Sequence, residues 1–311
     1  MEEKQNRTAA IVVTYNRKQL LLACIEGLMW QTCREFDILV IDNASTDGTR
    51  SALQPWIDAG SLTYHNTGRN LGGAGGFHCG IKRAVLEGYQ RLWIMDDDTV
   101  PSPNALQALL DAGRRCGEYG YLSSRALWKD GSLCRMNIQR DPRLRSLREY
   151  TKALIPSGAA TFVSLLIPAR VVLEVGLPIP EFFIWADDLE YTRRISRRYP
   201  CYVVTDSVVE HRCETNNGGN IATDAENRIG RYRYAYRNEV VLYRREGLRG
   251  LVHLLLRTPL HVARVLVKSK TKKLRRIGVI LGGTLQGVGF RPAVEYVDAA
   301  HINGRQENGD V

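Results

Sequence analysis

The sequence predicts an α/β protein with a mostly parallel sheet flanked by helices, and two observations support this fold class. Apolar runs rich in β-branched residues, beginning with residues 9–14 and 36–42, alternate with longer segments of helical periodicity. These runs end in polar residues, at the edge of a parallel sheet where ligands collect. The 311 residues, 44% hydrophobic and 24% charged, suffice for one large α/β domain and an appendage.

Four strands are predicted in the N-terminal half. The first is AAIVVT (residues 9–14), followed by RKQLLLACIEGLMWQT, whose apolar residues recur at helical spacing. The second is FDILVID (36–42), and the third opens the segment 62–88, before a glycine-rich turn and a helix. YQRLWIMDDD (89–98) is the fourth. Strand–helix alternation at this spacing is typical of a parallel sheet.

The following segments are less regular. Residues 125–154 are predicted to form a loop-rich excursion with a hairpin. Residues 161–176 indicate a strand, Pro168 and a short helix. In residues 180–200, aromatic residues precede paired acids, and a basic helix follows them. Residues 201–211 indicate another strand.

The formal net charge of +10 is concentrated near the C-terminus. Between Arg228 and Arg276 the chain has 15 Lys or Arg but only two acidic residues. We therefore divide the chain into a near-neutral body, residues 1–227, and a basic helical region, residues 228–311. A basic region of this kind is expected to seek an anionic surface.

Residues 248–268 predict an amphipathic helix, kinked near Pro259, with leucine and valine between regularly spaced basic residues. The cationic run KSKTKKLRR follows it. This pattern is typical of a helix that lies in the interface of an anionic bilayer. The basic stripe consists of Arg249, His253, Arg257, His261, Arg264 and Lys268.

Three further features bear on the compartment. The opening residues lack a charged and then apolar leader, so we expect no signal peptide. No stretch reaches about 18 uninterrupted apolar residues, so we expect no membrane-spanning segment. The 7 cysteines include no C-x-x-C pair, which favours reduced thiols in the cytosol.

Asp96, Asp97 and Asp98 come directly after an apolar run and predict a cation site. Alternate side chains of a strand share a face, so Asp96 and Asp98 are expected to point the same way and Asp97 elsewhere. Two convergent carboxylates suit Mg²⁺ or Mn²⁺. The alternative is that Asp98 or Ser102 caps the next helix.

Two polar segments at predicted strand ends are candidate ligand sites. IDNASTDGT contains Asp42 and Asn43 and fits either a self-stabilised turn or a binding loop. RNLGGAGGF has four glycines within five residues, which permits close backbone approach. It is not the dinucleotide fingerprint. A phosphate-bearing ligand near Asn70, Gly72 and Gly73 and simple tight packing both stay open.

WADDLEY places Asp187, Asp188 and Glu190 where a helix should begin. Carboxylates are favoured there by the helix dipole alone. The preceding aromatic residues favour a functional role, because an apolar wall raises the basicity of a carboxylate, and Asp188 is then a candidate general base. His211 ends the last predicted strand and is either structural or a metal ligand.

Seven motifs in order over roughly residues 8–245 resemble those of family-2 glycosyltransferases of the GT-A fold. The series is most similar to bacterial galactofuranosyltransferases and, beyond them, to rhamnosyltransferases of surface polysaccharide assembly. Single motifs are weak, but the ordered set is specific. It runs VVTYNR, IDNASTDGT, NLGGAGGF, IMDDDTVPSPNAL, GLPIPEFFIWADDLEYTRR, VVEH and YRYAYRN.

The resemblance implies inverting transfer of a sugar, best assigned as galactofuranose from UDP-galactofuranose, to a hydroxyl of a lipid-linked glycan in bacterial surface polysaccharide synthesis. Residues 1–227 would bind the nucleotide sugar and carry the catalysis, and residues 228–311 would hold the enzyme on the cytoplasmic face of the cell membrane. Nucleic acid is not an expected partner.

The resemblance also implies roles for individual residues. Asp188 would be the catalytic base, with the acceptor positioned by Asp187, Glu190 and Trp185. Mn²⁺ or Mg²⁺ would be held on the diphosphate by Asp96, Asp98 and His211. The donor would contact Thr14, Asn16, Arg17, Asp42, Asn43, Asn70, Gly72, Gly73, Asp96 and Asp97.

Two alternatives stay open, and one departure bears on the acceptor. The same scaffold suits a rhamnosyltransferase that uses dTDP-rhamnose, and the tyrosine-bearing basic segment 228–245 would suit a nucleic-acid-binding protein. Its Tyr232 and Tyr236 share a helical face, which favours packing against the body. Similar galactofuranosyltransferases tend to have Trp directly before the paired acids. Here Ala186 stands there, with Trp185 one position earlier, so the acceptor wall is expected to differ.

Overall fold

The computed structural model describes residues 7–298 and has a nine-stranded sheet in the order β3-β2-β1-β4-β8-β6-β9-β5, with β7 paired to β9. The first four strands are parallel. They are β1 (Thr8–Thr14), β2 (Phe36–Asp42), β3 (Thr63–Asn66) and β4 (Arg91–Asp96). Apolar runs form β1, β2 and β4, whereas β3 is a short, partly exposed strand at the edge of the sheet.

The second half of the sheet is mixed. The predicted strand and short helix around Pro168 are present, and this strand runs antiparallel to β4. The predicted strand that ends at His211 is parallel to its neighbour β6 and antiparallel to β5 and β7. These strands are β5 (Thr99–Pro101), β6 (Leu122–Trp128), β7 (Leu154–Pro156), β8 (Leu165–Pro168) and β9 (Tyr202–His211).

Helices cover both faces of the sheet. Alternate residues of β1 show this: Ala10 and Val12 join one apolar core, whereas Ala9 and Ile11 join the other. The first core includes α1 (Lys18–Met29), α2 (Thr49–Asp58) and α4 (Ala105–Cys116). The second includes α3 (Gly72–Leu86), α5 (Ala169–Val175) and α6 (Asp187–Ser196). The α/β fold class is therefore confirmed.

The basic C-terminal region folds into three helices: α7 (Tyr232–Arg244), α8 (Gly247–Lys268) and α9 (Lys273–Gly289). The predicted amphipathic helix is α8, and it continues through Pro259. The sequence division at residue 227 stays a prediction, although residues on both sides of it line one cavity, described below.

The central part of the basic stripe of α8 faces α7. Arg257 pairs with Glu239 of α7, and the ring of His253 stacks on Tyr243 at 4.1 Å between centroids. Leu255 and Leu256 face outward and are 74% and 67% exposed. These contacts leave the apolar face of α8 uncovered.

α8 also bears on the expectation that no segment spans a membrane. It has 22 residues and, judged by length and composition alone, is long and apolar enough to cross one. It is the one such helix within residues 7–298. Apolar residues are interrupted every three or four positions by the basic stripe, which is why uninterrupted runs do not reveal it.

Candidate active site

The triple-aspartate segment forms a turn between β4 and β5. Asp96 ends β4, and Asp97 and Asp98 form the turn. Asp96 and Asp98 line one cavity. They do so because the chain turns, and not through strand alternation as expected. Neither Asp98 nor Ser102 caps the following helix, which begins at Ala105 without a side-chain cap.

Asp97 does not line this cavity, and its predicted donor contact stays a prediction. Its carboxylate is 3% exposed and accepts a hydrogen bond of 2.8 Å from the Thr14 hydroxyl and one of 3.0 Å from Arg17. Thr14 is 1% exposed, and its predicted donor contact also stays a prediction. Asp97 and Asp98 together hold Arg17, which does line the cavity.

The carboxylates of this turn repel one another. Burial, together with the charges of Asp98 and Asp97, raises the pKa of Asp96 well above its usual value. Burial would also raise the pKa of Asp98, but its hydrogen bond with His211 and the charge of Arg17 lower it below the usual value. A cavity edge of this kind favours a cation.

His211 completes the cluster, and Asn137 sets its orientation. The Nδ1 atom of His211 lies 2.7 Å from Asn137 Oδ1, which can only accept, so Nδ1 donates. The Asn137 amide is fixed in turn by its 2.9 Å bond to Thr161. His211 Nε2 lies 2.9 Å from Asp98 Oδ1, so a proton or a cation must lie between them. The donor atoms of Asp96, Asp98 and His211 all lie within 4.8 Å of one another, a set that fits Mn²⁺ or Mg²⁺.

The far side of His211 carries soft donors. Cys134 Sγ lies 3.6 Å from His211 Nδ1 and 4.0 Å from Cys213 Sγ. Burial raises the pKa of Cys134 to about 12, so the thiol stays protonated and a hard cation is better held on the aspartate side. All 7 cysteines are free, as expected.

A cavity of about 930 Å³ joins this cluster to the second acidic pair. Asp187 and Asp188, at the start of α6, line it together with Asp96, Asp98 and His211. The segment 213–231, which carried no sequence signal, supplies much of the remaining lining. Asp96 and Asp188, which are 92 positions apart in the chain, therefore face the same cavity.

The paired acids have raised basicity. Burial raises the pKa of Asp188 to about 6, while burial and the neighbouring Asp188 raise the pKa of Asp187 to about 7. Asp188 Oδ1 accepts the backbone N–H of Leu189 at 2.7 Å, which fixes the carboxylate. Such a group can take a proton near neutral pH.

Glu190 lines neither this cavity nor its continuation toward the C-terminal helices, and its predicted acceptor contact stays a prediction. It is 2% exposed, and its carboxylate is bound by Arg194 at 2.9 Å and by Arg245. This ion pair ties α6 to α7 and is structural. Trp185, by contrast, does line the cavity, and its ring lies 4.9 Å from that of Tyr232.

The loop before α6 has an unfavourable backbone that α7 stabilises. Phe183, Trp185 and Ala186 have φ values of 63°, 68° and 65°, which cost non-glycine residues about 1–3 kcal/mol each. The buried Nδ2 atom of Asn238 donates to three backbone oxygens of residues 182–185, at 2.9, 3.1 and 2.9 Å. Asn238 had no predicted role, although it is a polar residue on the apolar face of α7.

Replacing Asn238 by alanine should lower the free energy of unfolding by about 2–3 kcal/mol, because buried carbonyls lose their donor. Asn238→Asp, which keeps the size but removes the donors, should cost at least as much. Arg233→Ala, at an exposed position of the same helix, is the control. Urea unfolding measures all three. If Asn238→Ala is as stable as Arg233→Ala, the hydrogen bonds of Asn238 do not stabilise the loop before α6.

The predicted glycine-rich turn is the first turn of α3. Gly72 has φ +72°, and a Cβ there would lie 2.1 Å from the Phe183 carbonyl oxygen. Asn70 Oδ1 accepts the Gly72 N–H, and Asn43 donates to the Gly72 carbonyl at 3.0 Å. Tight packing therefore explains Gly72. Gly73 has open space around its Cβ position and lines the cavity.

The other predicted donor residues lie at the ends of β1 and β2. Asp42 is 1% exposed and accepts hydrogen bonds from the Tyr64 hydroxyl at 2.6 Å and the Ser45 N–H at 2.8 Å. Asn16 bonds Ser45 and Thr46, joining the two strand ends. They do not line the 930 Å³ cavity. Any donor contact of Asp42, Asn16, Asn43 or Asn70 stays a prediction.

Known proteins resemble this chain in sequence. Residues 9–161 match the model of Glycosyl transferase family 2. Galactofuranosyltransferase GlfT1 of Mycolicibacterium smegmatis is 27% identical over 260 residues, which cover 78% of this chain and 85% of that protein. GlfT1 of Mycobacterium tuberculosis H37Rv is 28% identical over 261 residues, covering 78% and 84%.

Solved structures share the fold. GalNAc-T7 with UDP, GalNAc and Mn²⁺ has a TM-score of 0.56 at 16% identity, covering 78% of this chain and 52% of that one. Mannosyltransferase PcManGT from Pyrobaculum calidifontis, in complex with GDP-Man and Mn²⁺, has a TM-score of 0.53 at 16% identity, covering 99% and 77%. These likenesses establish a GT-A fold. With the family match and the galactofuranosyltransferase relatives, they show that residues 9–161 are a family-2 glycosyltransferase domain and that the chain is similar to bacterial galactofuranosyltransferases.

Proposed function

We propose that this glycosyltransferase moves galactofuranose from UDP-galactofuranose, with inversion, to a hydroxyl of a lipid-linked glycan in bacterial surface polysaccharide synthesis. The observation that carries the proposal is that Asp188 and the cluster of Asp96, Asp98 and His211 line one cavity. A single displacement needs a base for the incoming hydroxyl and positive charge for the leaving group. The similarity to GlfT1 supports the choice of donor.

The residues of the cluster would hold Mn²⁺ or Mg²⁺. When bound, the cation supplies positive charge that offsets the charge of the diphosphate leaving group. Arg17, whose Nη1 lies 2.8 Å from Asp98, adds a fixed positive charge on the same side. Gly73, at the open start of α3, leaves room for a ligand to approach the backbone.

Asp188 would act as the base. Its Oδ1 is held by Leu189, which leaves Oδ2 for the acceptor hydroxyl. The hydroxyl proton passes to Asp188 as the oxygen bonds the anomeric carbon, and the nucleoside diphosphate leaves with the bonding electrons. The acceptor would be positioned by Asp187 and Trp185. Burial and the neighbouring Asp188 raise the pKa of Asp187.

A panel of nucleotide sugars tests the donor. We expect slow Mn²⁺-dependent hydrolysis of UDP-galactofuranose, measured as UDP release without an acceptor, and no hydrolysis of UDP-galactopyranose or GDP-mannose. EDTA should abolish the UDP release. If dTDP-rhamnose is hydrolysed and UDP-galactofuranose is not, the donor assignment is wrong and dTDP-rhamnose takes its place. If none of the four nucleotide sugars is hydrolysed, the proposal is refuted.

The C-terminal helices would hold the enzyme on the membrane surface. Two features support this: the apolar outer face of α8 and the exposed cations of residues 268–275. Apolar burial and attraction to anionic lipid act together in interfacial helices.

Vesicle flotation tests this contact. The protein should float with phosphatidylglycerol-containing vesicles, and Leu255→Glu with Leu256→Glu should weaken binding at least about ten-fold, since each buried leucine contributes about 1.5–3 kcal/mol. Trp30→Glu, which changes an apolar side chain that is 75% exposed outside these helices, is the control. Equal flotation of both variants would contradict the contact.

A further inference from the structure

A second cavity continues from the active site toward the C-terminal helices. It measures about 370 Å³, and Trp185 and Asp188 line both it and the larger cavity. Its other walls come from the loop around Arg140 and from α7 and α8. An acceptor whose hydroxyl reaches Asp188 therefore has a path that leads away from the donor and toward α8.

This second cavity is lined by three arginines: Arg140, Arg257 and Arg264. Glu239 neutralises Arg257. Within residues 7–298 the side chains of Arg140 and Arg264 have no ion pair or hydrogen bond, although both are half-buried. A half-buried guanidinium without a partner loses hydration, which an anionic ligand would restore.

The remaining polar groups of the cavity do not cancel this charge. His261 Nδ1 lies 2.7 Å from the Tyr236 hydroxyl. Burial and the charges of Arg257 and Arg264 lower the pKa of His261 to about 4, so it is neutral near pH 7. Asp188 and Glu239 are the two carboxylates among the lining residues, and the charge of Arg140 acts on both. Against the three arginines they leave one positive charge in excess, and Asp188 lies at the end shared with the active site.

α8 connects this charge with an apolar exterior. The helix that supplies Arg257, His261 and Arg264 to the cavity exposes Leu256 and Leu260 on its outer side, at 67% and 57%. A ligand that follows this wall meets first positive charge and then apolar surface. This order matches an amphiphile with its anionic group next to its lipid.

We propose that the second cavity binds the phosphate or diphosphate group that joins the acceptor glycan to its lipid, with Arg140 and Arg264 as its ligands. Guanidinium groups bind phosphoryl oxygens in bidentate fashion, which fixes orientation as well as affinity. This inference rests on the proposed function, because it places the anionic group relative to the hydroxyl at Asp188. It assigns acceptor selection to α8 and to the loop that carries Arg140.

Binding of farnesyl diphosphate, measured by calorimetry, tests the site. The titration is done with saturating UDP and Mn²⁺, so that the donor side is filled. We expect binding to the full-length protein, about ten-fold weaker binding for Arg264→Gln and Arg140→Gln, and intermediate binding for Arg264→Lys, which keeps the charge but loses the bidentate geometry. Arg115→Gln, which removes an exposed charge that lines neither cavity, should change nothing.

Three outcomes would overturn the inference. In the first, UDP abolishes the binding of farnesyl diphosphate. In the second, neither arginine variant weakens that binding. In the third, inorganic pyrophosphate binds as tightly as farnesyl diphosphate, because the site would then take a free anion.

UDP binding in the same titrations separates the two proposals. If UDP binds and farnesyl diphosphate does not, only the acceptor site fails, whereas loss of UDP binding counts against the proposed function.

Discussion

Asp188→Asn should abolish sugar transfer, lowering kcat by about 10²–10⁴-fold, the range that a general base contributes. Asparagine keeps the size and the hydrogen bond from Leu189 but cannot take a proton. UDP binding should stay unchanged, because the donor cluster lies elsewhere in the cavity. Turnover measured with saturating donor, together with UDP titration, checks both parts.

The pH dependence of kcat is a second test of Asp188 as the base. Because burial raises the pKa of Asp188 to about 6, the carboxylate is ionised above that pH and protonated below it. Wild-type kcat should therefore fall as the pH is lowered from 8 through about 6. Asp206→Asn, at an exposed position on β9, is the control and should keep the wild-type profile. Near-native turnover by Asp188→Asn would remove Asp188 as the base.

Asp98→Ala should lose the response to divalent cations, with turnover at least about 10³-fold lower. A bound cation stabilises the transition state by several kcal/mol, and each step of about 1.4 kcal/mol in that stabilisation corresponds to a ten-fold change in rate. Asp98 is the residue that His211 and Arg17 both contact, at 2.9 and 2.8 Å, so its removal disperses the cluster. Mn²⁺ titration of donor hydrolysis and Mn²⁺ binding by calorimetry measure the loss.

Asp97→Asn is the matched control for this change. It alters the adjacent carboxylate, which lies outside the cavity and bonds Thr14 and Arg17. This variant should keep the Mn²⁺ response, whereas Asp98→Ala should not. If both variants lose Mn²⁺ equally, the assignment of the two carboxylates to different roles is wrong.

The sequence predicted the fold wherever one local pattern decides an element. The β-branched runs of β1, β2 and β4 are buried on both faces, so their composition alone identifies them. The polar residues that end them could also be assigned to one sheet edge. Asp188 and His211 were singled out because their residue types suit chemistry at the ends of elements.

Side-chain partners from distant parts of the chain are what the sequence did not predict. The ion pair of Glu190 with Arg245, 55 positions away, is one example. The contacts of the α8 stripe with Glu239 and Tyr243 of α7 are another. Asn137 bonds a distant imidazole and Asn238 donates to three backbone oxygens of a distant loop, and no local pattern reports such contacts.

The attachment of Asn238 to the loop before α6 also has a practical consequence for shortened versions of the protein. A fragment that stops at residue 227 would retain every acidic residue of the active site, yet the peptide oxygens of Phe182, Ile184 and Trp185 would have lost their anchor. An active fragment therefore needs the chain at least through α7, and the exposed apolar face of α8 is better made hydrophilic by substitution than removed by truncation.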